Sequence, residues 1–420
     1  MSTARFEISE VIKESPVISI WLTLSLALFF IGPFLTSSYG DLTHLSKVIF
    51  FLPAMAYLFR QQGTGAAPFS LDSTSVLFLS FLFLGLASLL WAPEPKITRI
   101  THGALQIFLL FFTLRQLGRT HARALAVSAI LAALGTAAVT ATITLCFYTS
   151  NALAVPLYDS MNGLSQTFPN INQLVATMTA MPSAFILTAA FAFERRALQR
   201  TLFLIGAVSC LAFLLLLQRR TGMVAILGGM AVLVMLTRNK KLIIALLSIL
   251  LCGLFFFFND ISGYASRGDS HRFDVWNAYL DVSMAHPWLG HGLTDEVPTI
   301  TTQEFPQLPN DILHPHNILL SLFYYMGAAG LALFAGFGLN LVYRIFLDRA
   351  FERRVSIVLL APLTPGLITL MFDGEKVITP YWPSWNCLWI PIALAVAAVH
   401  STDRKTGSSF HENVDDHACR

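Results

Sequence analysis

Charge is what this chain has least of. Aspartate, glutamate, lysine and arginine together make up 12% of its 420 residues, about half the share found in soluble globular domains. Hydrophobic residues make up 55%, and the mean hydropathy is +0.64. One soluble domain with an ordinary surface is therefore excluded. The formal net charge of +3 is too small to point to a nucleic-acid partner. Cysteine is also scarce. Of five, Cys146, Cys210, Cys252 and Cys387 fall in or beside apolar runs and Cys419 lies in the polar tail, so no disulfide framework is implied. No short-period repeat is evident. The first apolar run follows a mixed-charge segment without a small-residue cleavage site, and is expected to remain as a membrane span.

What the chain has in abundance is apolar runs of membrane length. ISIWLTLSLALFFIGPFL after Val17, ALAVSAILAALGTAAVTATITLCFY ending at Tyr148 and LIIALLSILLCGLFFFF ending at Phe258 are examples. The expected fold is an all-α integral membrane protein of about twelve spans. Residues 1–258 would carry spans one to nine, 259–315 a large extramembrane loop, 316–400 the last three spans and 401–420 a polar tail. Lysine and arginine accumulate in cytoplasmic loops. With both termini cytoplasmic, nineteen of the 27 basic residues fall inside. The eight left outside are Lys47, Lys96, Arg99, Arg219, Arg220, Arg267, Arg272 and Lys376.

Those exceptions are informative. Arg219 and Arg220 occupy a hairpin of a few residues in LLLLQRRTGMVAIL. They read either as a snorkelling pair reaching lipid headgroups or as a fixed anion site at the depth of a lipid phosphate. The long loop carries eight acids against only Arg267 and Arg272. Its first half is expected to form an amphipathic helix capped by Asp269 or Ser270, with Phe273, Trp276, Leu280 and Met284 as a stripe packed on the membrane domain. Pro287, Gly290 and Gly292 then end it. Arg272 falls in the first turn, where an arginine and exposed backbone amides together suit a phosphate; a pair with Asp269 or another nearby acid is the alternative.

The loop ends in His314-Pro-His316-Asn317, where proline fixes the backbone beside two imidazoles. A third metal ligand and helical i, i+4 spacing are both missing, and so is an Asp-x-Asp pair, so a general base fits better than a metal site. Either histidine alone is equally consistent with a cap at the helix start. Asp373 and Lys376, in MFDGEKV between the last two spans, are minor candidates, and the segment is expected to be a solvated loop.

In combination these motifs resemble the O-antigen ligase superfamily, which includes O-antigen ligases, related polysaccharide polymerases and protein O-oligosaccharyltransferases. The residues that carry the resemblance are arginine before Thr221-Gly222, Arg272-Phe-Asp-Val-Trp276, His286-Pro-Trp-Leu-Gly290-His-Gly292, and His314-Pro-His316-Asn317 leading to Met326-Gly327. The doubled arginine departs from the pattern, and Arg220 is favoured because it directly precedes Thr-Gly. The resemblance implies a GT-C type glycosyltransferase in the bacterial inner membrane with its active site facing the periplasm. Its donor would be a glycan on undecaprenyl pyrophosphate. Lipid A-core oligosaccharide is the expected acceptor, from the short tail and motif pattern, with a polymerase as the close alternative. Arg219, Arg220, Arg267 and Arg272 would bind the pyrophosphate, His316 (or His314) would be the base, and no metal or other cofactor would be needed. A twelve-span transporter or flippase is the reading from a different class. It fits less well because the polar residues gather on one face and not at mid-membrane.

Overall fold

The computed structural model describes residues 8–36, 38–64, 67–150, 172–217, 219–245, 247–248, 271–294, 300–305, 311, 314–347 and 353–401. Every extended element among them is helical. In chain order these are α1 (Ile8–Glu14), α2 (Pro16–Leu35), α3 (Tyr39–Ser46), α4 (Leu52–Gly63), α5 (Ser73–Ala87), α6 (Ile97–Ser150), α7 (Gln173–Phe193), α8 (Ala197–Leu216), α9 (Arg220–Thr237), α10 (Arg272–Ser283), α11 (Ile318–Leu347), α12 (Arg353–Leu360), α13 (Leu363–Asp373) and α14 (Trp389–His400). A helix satisfies its own backbone polar groups, which hydrocarbon demands of any segment that crosses it.

Among the described residues ten helical segments are long and apolar enough to cross a membrane. The chain is an all-α, multi-pass membrane protein. One of the ten is α6, whose 54 residues would measure about 81 Å at 1.5 Å per residue, far more than a hydrocarbon core of about 30 Å. It breaks at His121 (φ −140°, ψ 36°), and the helix on either side of the break is long enough for one crossing. The last ten residues of the run ending at Phe258 lie outside the described residues.

Helix continues through Arg115, Arg119 and Arg123 on either side of His121. Arg115 is fully buried, so it has no need of solvent. Its Nη2 lies 3.3 Å from Asp72 Oδ2, the same oxygen that meets Arg344 Nη1 at 2.9 Å and His400 Nε2 at 2.8 Å. Asp72 also caps α5 by accepting from the Ser75 amide at 2.8 Å. One carboxylate therefore ties together the ends of α5, α11 and α14 and the middle of α6. At the interior of the bundle, α7 and α14 are enclosed along most of their length.

The other end of α11 carries a second device. The helix is broken at Gly327 (φ 62°, ψ −164°), a conformation open essentially only to glycine. The turn after α10 passes through the break. There the His291 and Gly292 amides donate to the Tyr324 and Tyr325 carbonyls, while the Ala328 and Ala329 amides donate to the Pro287 and Trp288 carbonyls, all at 2.8–3.1 Å. A Cβ on Gly327 would strike the Trp288 carbonyl, and one on Gly290 would strike the backbone at Met326. This crossing accounts for Gly290 and Gly327, while a Cβ on Gly292 would strike Ala92 and the Ser88 carbonyl just past α5. The kink and the turn satisfy each other's backbone.

Candidate functional site

Four helix ends meet beside this crossing: the starts of α9, α10 and α11 and the end of α13. Their meeting point is Asp373, whose side chain is 1% exposed. Arg219, just before α9, places Nη2 at 3.0 Å from Asp373 Oδ1, and Arg272, the first residue of α10, reaches the same oxygen at 3.2 Å. Thr221 donates to Asp373 Oδ2 at 2.7 Å. The carboxylate thus lies at two helix N-termini, where the peptide dipoles favour negative charge. Arg272 also lies over the Phe372 ring, 5.8 Å from its centroid. MFDGEKV is therefore not the solvated loop expected, since Asp373, Gly374 and Val377 are buried. Two partly exposed guanidiniums and a hydroxyl stabilise a carboxylate that is itself withdrawn from water.

Two arginines on one carboxylate leave an excess of positive charge at a partly open surface. Arg220 opens α9 one residue after Arg219 and is partly exposed. Lys376 is partly exposed three residues beyond Asp373. Arg267, together with the expected caps Asp269 and Ser270, lies outside the described residues. The N-cap position of α10 is instead His271, in the left-handed region at φ 54°.

The histidine pair adjoins this cluster. His314 and His316 have ring centroids 4.1 Å apart, and His314 Nε2 lies 3.4 Å from Glu375 Oε1. Neither histidine caps α11. Asn317 does, its Oδ1 accepting from the Leu319 and Leu320 amides at 2.9 and 3.1 Å, which leaves the imidazoles for other work. His316 is in the left-handed region at φ 51°. Burial, helped by His314, Arg272 and Arg219, pushes its pKa down to about 4, with Asp373 pulling the other way. The imidazole is consequently neutral at neutral pH, and its Nδ1 is buried without a hydrogen-bond partner among the described residues.

The stripe expected to pack inward does not. The buried face of α10 is Val275, Ala278, Tyr279 and Ser283, whereas Phe273, Leu280 and Met284 are exposed and only Trp276 is partly covered, against Phe372 at 6.2 Å. Small and aromatic residues make the protein-facing side because α10 lies close to α11, where Tyr279 meets Tyr324 edge-on at 6.1 Å. Glu375 and Thr221 complete the site; Thr221 belongs to the arginine–Thr–Gly motif, whereas Glu375 carries no motif strong enough to single it out. The one available signal was an acid pair directly after an apolar run. Among the described residues no three His, Cys, Asp or Glu side chains are grouped as a metal ion would require.

Two comparisons bear on the family. Residues 205–335 match the family model described as O-antigen ligase. The stretch holds the start of α9, α10, the glycine crossing and both histidines. A protein described as an O-antigen ligase from Pseudomonas aeruginosa is 26% identical over 406 residues, an alignment covering 94% of each chain. Together they bear out the resemblance to the O-antigen ligase superfamily, whose members are glycosyltransferase-type enzymes.

Proposed function

We propose that the chain is an O-antigen ligase, transferring a polysaccharide from undecaprenyl pyrophosphate to a sugar hydroxyl of lipid A-core on the periplasmic face of the inner membrane, with both termini cytoplasmic. The observation that carries this reading is the convergence of Arg219 and Arg272 on Asp373 beside the His314–His316 pair. A diphosphate leaving group needs cations held in place before it departs, and two arginines fixed by a buried carboxylate are preorganised for that. Arg220 and Arg267 are placed by the sequence to add to the clamp.

In the proposed step the acceptor oxygen attacks the anomeric carbon from the face opposite the diphosphate. The bond from that carbon to the diphosphate oxygen breaks, the electron pair leaves with the undecaprenyl diphosphate, and configuration inverts. The hydroxyl proton passes to His316, with His314 as the neighbouring alternative. An imidazole held near pKa 4 is by itself a weak proton acceptor. A bound diphosphate offsets the two arginines that help depress it, so proton affinity rises when substrate is in place. The arginines take the part that a divalent cation plays in other glycosyl transfers, and the scheme calls for no metal.

A polymerase would use the same donor and the same residues, transferring the chain to another lipid-linked repeat. Similarity to the Pseudomonas aeruginosa O-antigen ligase along nearly the whole chain favours the ligase. The test is complementation: delete the gene in its host, restore it as wild type, His316→Ala, Arg219→Ala or Arg220→Ala, and compare lipopolysaccharide with carrier-linked glycan. Loss of the ladder on lipid A-core while long polymer accumulates on the carrier is the expected result. Accumulation of single repeats would assign the polymerase instead.

A further inference from the structure

We infer that α10 and the turn behind it form an interfacial anchor, lying in the headgroup layer of the bilayer on the loop side, with lipid as the partner of its exposed face. The inference does not depend on the transferase reading. It starts from the two faces of α10. Val275, Ala278, Tyr279 and Ser283 are turned to the protein. Phe273, Leu280 and Met284, at positions i, i+7 and i+11, fall within about 40° of one another at 100° per residue, on the opposite side. Phe273 is 63% exposed and Met284 58%. The next positions on that side, Asn277 and Asp281, are exposed and polar, so the apolar stripe has a hydrophilic edge, as a helix lying in an interface does.

The turn extends the patch. Trp288 is 76% exposed and Leu289 is exposed beside it. They are not free to fold inward, because their backbone is pinned in the break of α11 by four amide–carbonyl hydrogen bonds and the two glycines. Rigid presentation of a tryptophan and a leucine to water would be unfavourable. The patch also runs into the surface of a membrane-crossing helix. Trp91, just past α5, donates from Nε1 to the Gly290 carbonyl at 3.2 Å, and Leu90 next to it is 88% exposed. That continuity with a span, together with tryptophans at its end, selects the bilayer as the occupant over a soluble protein. Arg272 is on the same rigid helix, so lipid contact fixes the height of the Arg272–Asp373 pair at headgroup depth.

The test uses the full chain in lipid nanodiscs. Nitroxide labels are placed at Met284→Cys or Trp288→Cys, with Asp281→Cys as comparison, in a background whose native cysteines are replaced. Power saturation against oxygen and a nickel chelate then reads the environment of each label. The expected result is a several-fold higher oxygen-to-nickel accessibility ratio at 284 and 288 than at 281. Equal ratios overturn the inference. Spin–spin broadening at 284 or 288 that disappears on dilution with unlabelled protein also overturns it, in favour of a second copy on this face. If the cysteine-free background fails to fold, Trp288→Phe in the native sequence serves. Brominated-lipid quenching of tryptophan emission should lose a component in the variant, and an unchanged quenched fraction overturns the inference.

Discussion

Arg272 Nη2 lies 3.2 Å from Asp373 Oδ1 across 101 residues of sequence. The contact joins the first residue of the helix in the large loop to the last residue of a membrane-crossing segment. Arg219 shares the same oxygen, so loss of Asp373 releases both arginines at once.

Asp373→Asn should therefore lower transfer by at least about tenfold, and by up to ~10²-fold if both arginines lose their aim. Initial rates with purified donor and acceptor in nanodiscs measure it. Wild-type rates at normal expression would remove the carboxylate from the site.

His316→Asn separates backbone from chemistry. Asparagine tolerates the left-handed region that His316 occupies at φ 51°, so the variant should fold and insert normally. It cannot accept a proton, and transfer should fall by about 10²-fold or more. Thermal unfolding in detergent and transfer assays on the same preparation give both halves of the result.

Acid sensitivity follows from the same imidazole. Its folded pKa is about 4 against 6.5 for the unperturbed group. Between those values the unfolded chain binds more protons than the folded one. The contribution to stability is complete above pH 6.5 and declines as pH falls through the window towards 4. Melting temperature should drop over that window in wild type, and the dependence should be shallower in His316→Asn. Identical pH profiles for the two proteins would contradict the assignment.

Gly327→Ala places a Cβ against the Trp288 carbonyl at a positive φ. It should destabilise by about 2–4 kcal/mol through strain and forced separation of the turn from the broken helix. Activity should fall as well, although the residue touches none of the charged groups. Differential scanning fluorimetry beside a transfer assay reads both effects.

At the far end of the bundle, Asp72→Ala would leave the fully buried Arg115 without its carboxylate. Removing one partner of such a pair costs about 3–5 kcal/mol. The variant should melt earlier while the KM of the folded fraction stays unchanged, which steady-state kinetics below the melting range will test.

The span pattern, the loop, and the motifs around Arg272 and His316 could be read from the sequence because hydropathy, basic-residue placement and turn chemistry are local. Asp373 could not. An acid at the end of an apolar run looks like any solvated residue until two arginines from distant segments are folded onto it. The doubled arginine was similarly ambiguous: sequence favoured Arg220 for its place before Thr-Gly, whereas Arg219 is the one seen sharing Asp373 Oδ1 with Arg272. The packed face of α10 was misassigned for a different reason. Hydrophobic periodicity marks the side of a helix that avoids water, and in this protein that side faces away from the protein core, while small residues mark the side that meets α11.

The glycine crossing at Gly290 and Gly327 also bears on how this protein can change over time. It fastens the large loop near its midpoint, so in sequence the loop divides into one arc before the crossing and one after it. An insertion in one arc need not shift the other, nor move Arg272 or the histidines from their elements. Recognition of different glycans could then diversify by lengthening an arc, with the reacting groups held constant by a knot of backbone that tolerates almost no substitution.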